Sequence, residues 1–252
     1  MLSARRLATA VAVASLALGG LSACRSQPNV AAYIGDSGRI SEQRVQEVWD
    51  EVHTGLTDAA AQQPAPAEGE QAAPAGVRMP ISRADVLRAL IGQQVYANLA
   101  KQRGISFPAG VPYDEIAQQL GVPAGTEYAR LAAQVAVYRQ ELGQKVTAPA
   151  APTEEDMRSV YDALAEGGMV EPGQDFAAWS AAVTPANQEA VARAGAIRQE
   201  LEKTVDTMDI EVSPRYHPFE FDLLSTQGEN GLVNLLGAQV GEDLSAPVTD
   251  AR

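Results

Sequence analysis

The sequence predicts a mainly helical fold. Apolar residues recur at steps of three and four through most of the middle of the chain, and nearly every such stretch follows a Ser, Thr or Asp suited to cap a helix. The runs that read as strands are few and short.

The elements follow in order. Val30-Ala31-Ala32-Tyr33-Ile34 is a compact apolar run of strand character, and Gly35-Asp36-Ser37-Gly38 is a turn in which glycine supplies positive φ without steric cost. Arg39-Ile40 returns as the second arm of a small hairpin. Ser41 offers an N-cap, and Val45, Val48, Trp49 and Val52 fall at i, i+3, i+4 and i+7, one face of a helix. Ile40 and Val45 are spaced as a hydrophobic staple across that cap. Residues 62–80 are Ala, Gln, Pro, Glu and Gly with almost no large apolar side chain. Such a stretch buries too little surface to offset its ordering entropy, so a disordered insertion within one domain is expected there.

Order resumes at Ser82, with Asp85 three residues on as a capping-box variant. Val86, Leu87, Leu90, Ile91, Val95 and Leu99 form the stripe of the most hydrophobic helix outside the leader, which Gly104 stops as a C′ residue. A short helix over 114–120 closes at Gly121, and a longer one over 126–142 carries Tyr128, Leu131, Val135, Tyr138 and Leu142. Residues 147–152 are a Pro/Ala linker. Thr153 caps a helix burying Met157, Val160, Tyr161 and Leu164, and Asp175 caps a short one bearing Phe176 and Trp179. Thr184-Pro185 starts the last helix, with proline at N1 where its missing N–H costs nothing; Val191, Ile197, Leu201 and Val205 point inward, and it ends near Met208. Ile210-Glu211-Val212 and Phe219-Glu220-Phe221 alternate as strands do. Residues 223–252 are Gly-rich and weakly apolar, and a flexible C-terminal tail is expected.

The N-terminus carries an address. Arg5 and Arg6 precede an apolar run over residues 7–18, then Gly19-Gly20 and Leu21-Ser22-Ala23-Cys24: a positive n-region, a short h-region and a small-residue cleavage site. The run falls well short of the ~20 residues that a membrane-spanning helix needs. Leu21-Ser22-Ala23-Cys24 resembles a bacterial lipobox. That resemblance implies a signal peptide of residues 1–23, a diacylglycerol on Cys24, a tether over 24–29, and a location on the extracytoplasmic face of the cell membrane. Loss of Arg5 and Arg6 with the leader takes the net charge from −13 to −15. A chain this acidic repels nucleic acid and anionic headgroups. Cys24 is the only cysteine, so once lipidated it leaves no disulfide to form.

Three pieces together resemble a family. Residues 30–52, VAAYIGDSGRISEQRVQEVWDEV, are similar to the strand–turn–strand–helix that opens SurA-type periplasmic chaperones. Residues 86–105, VLRALIGQQVYANLAKQRGI, resemble the long helix that follows. Residues 210–221 resemble the ending of Gram-positive lipoproteins with a SurA-like N-terminal domain. Pro214, Arg215 and Tyr216 match that ending, while Ser213, His217 and Phe219 depart from its usual Asn, Gly and Trp. The resemblance implies a helical domain over 30–222 whose early hairpin is joined by the strand after the last helix. It also implies binding of unfolded or secreted client proteins without ATP.

No catalytic constellation is visible. The parvulin-type prolyl isomerase domain common in SurA relatives needs paired histidines and a Phe-Gly-Pro-like phrase, whereas this chain has only His53 and His217. No Gly-x-Ser-x-Gly elbow or phosphate loop occurs, and neither histidine stands in a metal-ligand pattern, so no metal or other cofactor is expected. Acidic groups such as Glu154-Glu155-Asp156 and Asp114-Glu115 sit at helix starts, where they complement the macrodipole. Tyr96, Tyr128, Tyr138, Tyr161 and Trp179 are candidates to line a groove for apolar client segments. The competing expectation is that most of them fill the core, because each lies on or beside an apolar stripe. Arg215-Tyr216 reads as a structural lock on the returning strand. The expected function is therefore a lipid-anchored chaperone-like protein, with a prolyl isomerase relative and a cell-envelope scaffold as the alternatives.

Overall fold

The computed structural model describes residues 28–62, 77–229 and 231–241. Cys24 and the expected leader, most of the 24–29 tether, most of the 62–80 insertion and the last eleven residues lie outside them. The described residues are mainly α, with two small antiparallel sheets. The order is β1 (Val30–Ile34), β2 (Gly38–Ser41), α1 (Glu42–Ala61), α2 (Arg83–Gln102), α3 (Tyr113–Gln119), α4 (Glu127–Lys145), α5 (Glu154–Glu166), α6 (Phe176–Ala182), α7 (Pro185–Met208), β3 (Ile210–Val212), β4 (Glu220–Gly228) and β5 (Gly231–Gln239).

All the described α-helices except α3 begin where a side chain satisfies a free N–H group. Ser41, Thr126, Thr153, Asp175 and Thr184 each accept the backbone N–H three residues on. At α2 the box is complete: Ser82 accepts from the Asp85 N–H, and the Asp85 carboxylate accepts from the Ser82 N–H at 2.8 Å. Each such cap contributes about 1 kcal/mol. Asp209 ends α7 in the left-handed region at φ 50°, which aspartate tolerates better than most residues, and the chain turns directly into β3.

The first sheet joins the two ends of the helical chain. Its order is β2-β1-β3, with Ala32 opposite Val212, Tyr33 opposite Glu211 and Ile34 opposite Ile210. Two flanking backbone bonds, Ser213 N–H to the Ala31 carbonyl and Gly35 N–H to the Asp209 carbonyl, both 2.9 Å, extend the pairing.

Helix α2 is the spine of the main core. Val86, Leu87, Ile91, Val95, Tyr96 and Leu99 are buried in it against α1, α4, the first sheet and the C-terminal half of α7. A second, smaller core gathers Met157 and Val160 of α5, Val191 and Ala194 of α7, and Leu236 of β5.

Residues 223–229 and 231–240, expected as part of a flexible tail, are instead ordered against the helices. Strands β4 and β5, nine residues each, form a hairpin, and the fold runs on to Val240, past the expected boundary at 222. Its root plugs into α2. Phe219 and Phe221 are buried, Phe221 stands 5.6 Å from Tyr96 ring to ring, and a Cβ on Gly92 would come within 3.3 Å of Phe221. Arg88 and Arg139 donate to the Glu220 and Asp222 carbonyls, binding β4 to α2 and α4. The burial comes from partners far away in sequence, which the weak local hydropathy of residues 231–240 does not report. Ala238 and Val240 belong to the main core and Leu236 to the small one, so β5 spans both, as α7 does.

Candidate functional site

The five candidate aromatics separate into three settings. Tyr96, 1% exposed, and Tyr128, 7% exposed, are core residues. Burial drives the Tyr96 phenol well above its usual pKa and pushes that of Tyr128 up to about 12. Neither ring faces outward. Tyr138 is half-buried and pairs with Phe107, the centroids 5.0 Å apart. Only Tyr161 and Trp179 come together, joined by Phe176.

That trio lies on α5 and α6. Tyr161 stands 5.7 Å from Phe176 and 5.6 Å from Trp179, and Phe176 stands 6.2 Å from Trp179. All three rings are half-buried with part of their surface open, and Phe176 and Trp179 rest on the small core. Helix α6 is the one helix among the described residues that buries no residue. It is held in place from outside: the Tyr161 hydroxyl donates to the Gln174 carbonyl at 2.7 Å, and the Asp175 carboxylate caps the first turn at 2.8 Å. Arg158 places its guanidinium 4.3 Å over the Phe176 ring while Glu154 pairs with it at 3.3 Å. An arginine over an aromatic face beside a carboxylate is a cation–π contact with its charge balanced.

Behind the trio, α5 is fastened to α7 by a polar joint. Asp156, 1% exposed, accepts from the Thr153 hydroxyl at 2.6 Å and faces Arg198 at 3.0 Å. Arg198 also reaches Glu155, at 3.3 Å. Gly195 is required here, because a Cβ at that position would stand 2.8 Å from the Asp156 carboxyl carbon. Glu202, one turn along α7, has its carboxyl pKa raised by burial. Arg198 and the Gln239 N–H oppose the rise, and Glu155 and Asp206 add to it.

Pro214, Arg215 and Tyr216 form a single 3-10 turn after β3. The Tyr216 hydroxyl donates to the Glu42 carboxylate at 2.7 Å, and Arg215 pairs with the same carboxylate at 3.2 Å. Burial first, and then that hydrogen bond to Glu42, hold the Tyr216 pKa well above its usual value. Residues 214–216 thus clasp the first turn of α1. His53 stacks on Trp49 at 5.4 Å, and the His217 ring meets the Val212 carbonyl at 3.1 Å. Among the described residues no cluster of His, Cys, Asp or Glu suits a metal ion, and no helix is long and apolar enough to cross a membrane.

A polar surface hollow of about 600 Å³ lies between the 144–150 linker and the start of α7, lined by Thr147, Pro149, Pro185, Gln188 and Arg193. Arg193 is already engaged there by the Gly143 carbonyl and by Glu189.

Phe176 joins the cluster without being one of the five candidate aromatics; the signal for it is the Asp175 cap before it and Trp179 three residues on. The Asp156–Arg198 pair had none, since its members lie on different helices. Comparison with protein-family models, curated proteins and solved structures found no match to this chain.

Proposed function

We propose that the chain is a lipid-anchored, extracytoplasmic chaperone-like protein that holds unfolded or secreted clients without ATP, built on a SurA-like N-terminal domain. The observation that carries the reading is the half-open aromatic trio of Tyr161 on α5 with Phe176 and Trp179 on α6, a helix that buries no residue of its own. Preset aromatic rings give large contact area at little entropic cost, which suits reversible capture of apolar segments. The β1–β3 pairing agrees with the SurA-like layout, and the lipobox resemblance at Cys24 supplies the membrane address through two or more acyl chains.

The test is aggregation of a chemically denatured model protein diluted into buffer with the purified chain. Suppression at near-stoichiometric ratio, independent of ATP, is the expected outcome. Unchanged light scattering together with no binding of unfolded peptide refutes the reading. Radiolabelled palmitate incorporation that disappears in Cys24→Ser checks the anchor separately.

A further inference from the structure

The trio sits in a strongly acidic part of the chain. Residues 153–183 hold seven carboxylates against one arginine and no lysine. Four of the seven have assigned tasks: Glu154 pairs with Arg158, Glu155 and Asp156 with Arg198, and Asp175 caps α6. The other three, Asp162, Glu166 and Glu171, are exposed and pair with no cation among the described residues. Asp162 and Glu166 continue, at steps of four, the row of α5 that Arg158 begins, and Glu171 lies in the loop leading to α6.

We propose that this face of α5 and α6 docks polypeptide segments in which lysine or arginine alternates with aromatic or aliphatic residues. The proposal rests on the client-binding reading and names the client chemistry. Arg158 shows the interaction in miniature, a guanidinium over Phe176 with a carboxylate beside it. Trp179 offers the better ring for a second cation, and Asp162, Glu166 and Glu171 offer the charges to balance it. Apolar side chains of the segment cover the open part of the trio. The same carboxylates repel acidic segments and anionic surfaces, so the selection works by exclusion as well as attraction.

The experiment uses the full chain and three fluorescent peptides of equal length and equal aromatic content, bearing Lys/Arg, Ser or Asp/Glu at the intervening positions. Fluorescence anisotropy should rank them basic, neutral, acidic, with at least tenfold between the first and last, and the basic peptide should weaken several-fold as salt rises from 50 to 300 mM. Trp179→Ala should weaken the basic peptide about tenfold with the far-UV spectrum retained and the unfolding temperature lowered by only about a few degrees, since the ring is half-buried. Asp162→Lys with Glu166→Lys, at positions that hold no structural contact, should reverse the charge preference. Peptides that bind alike whatever their charge, or a preference that survives the lysine pair, overturn the proposal. If clients are still held in solution while those variants change nothing, this site falls and the chaperone reading stands. If no peptide binds and no aggregation is suppressed, both fall.

Discussion

The two cores of this protein are built differently. At the centre of the main core the aromatic rings are sealed: Tyr96 and Phe219 are each 1% exposed, while Trp49 and Tyr138 lie half-buried at its edge. In the small core the aromatic rings stay half-open, and the closest attachment of α5 to α7 is ionic, through Asp156 and Arg198. A hydrophobic contact is non-directional and sums over many neighbours, whereas an ion pair is specific and fails when one member is removed. The small lobe is therefore the part that can loosen locally while the rest holds, and local opening of this kind is characteristic of binding surfaces. Helix α7 and strand β5 cross both cores, so neither is independent of the other.

The comparison can be broken at its strong end first. Phe219→Ala removes a sealed ring where the hairpin root meets α2, and it should destabilise the whole chain by about 3–5 kcal/mol. Denaturant unfolding should show one cooperative transition at a lower midpoint. A loss confined to the hairpin would mean that β4 and β5 are an appendage and not a member of the main core.

Asp156→Ala is the matching cut in the small lobe. It leaves Arg198 without its buried partner and should cost about 3 kcal/mol, concentrated in α5 and α6. Native-state hydrogen exchange should speed at amides of those helices while α2 stays protected. Equal loss of protection across both cores would erase the distinction drawn between them.

Glu202→Gln gives the smallest and most informative effect. The folded carboxyl pKa lies above 4.5, so the native state binds its proton more readily than the unfolded chain. This group therefore opposes folding at pH above its raised value, and the opposition fades as pH falls toward 4.5. The glutamine variant, which still offers an acceptor to the Gln239 N–H, should melt of the order of 1 °C higher near pH 7.5. The difference should shrink toward zero at acidic pH. A variant that melts lower at neutral pH would place the group's net effect on the stabilising side.

Local rules made much of the architecture legible. Ser41, Ser82, Thr126, Thr153, Asp175 and Thr184 mark helix starts because a cap needs only an oxygen and the N–H three residues on. The β4–β5 hairpin was hidden although Asn230-Gly231 is a strong hairpin signal, because the glycines around it weaken the alternation that marks a strand. Of the aromatics, spacing placed each on or beside an apolar stripe but did not say which stripes are sealed. Tyr96 and Tyr161 look alike in sequence; Phe221, 125 residues away, covers the first, whereas the second meets the nearby Gln174, Phe176 and Trp179.

By itself the sequence determined where most of the helices begin, which faces are apolar, how acidic the chain is, and the resemblance of residues 21–24 to a lipobox. All of these depend on neighbours within a few positions or on composition. Only the tertiary structure decided that a glycine-rich ending closes the main core, that Asp156 finds Arg198 on another helix, and that one aromatic group stays partly open beside unpaired carboxylates. Those outcomes belong to residues distant along the chain, and burial or charge pairing is a property of the pair that no single position carries.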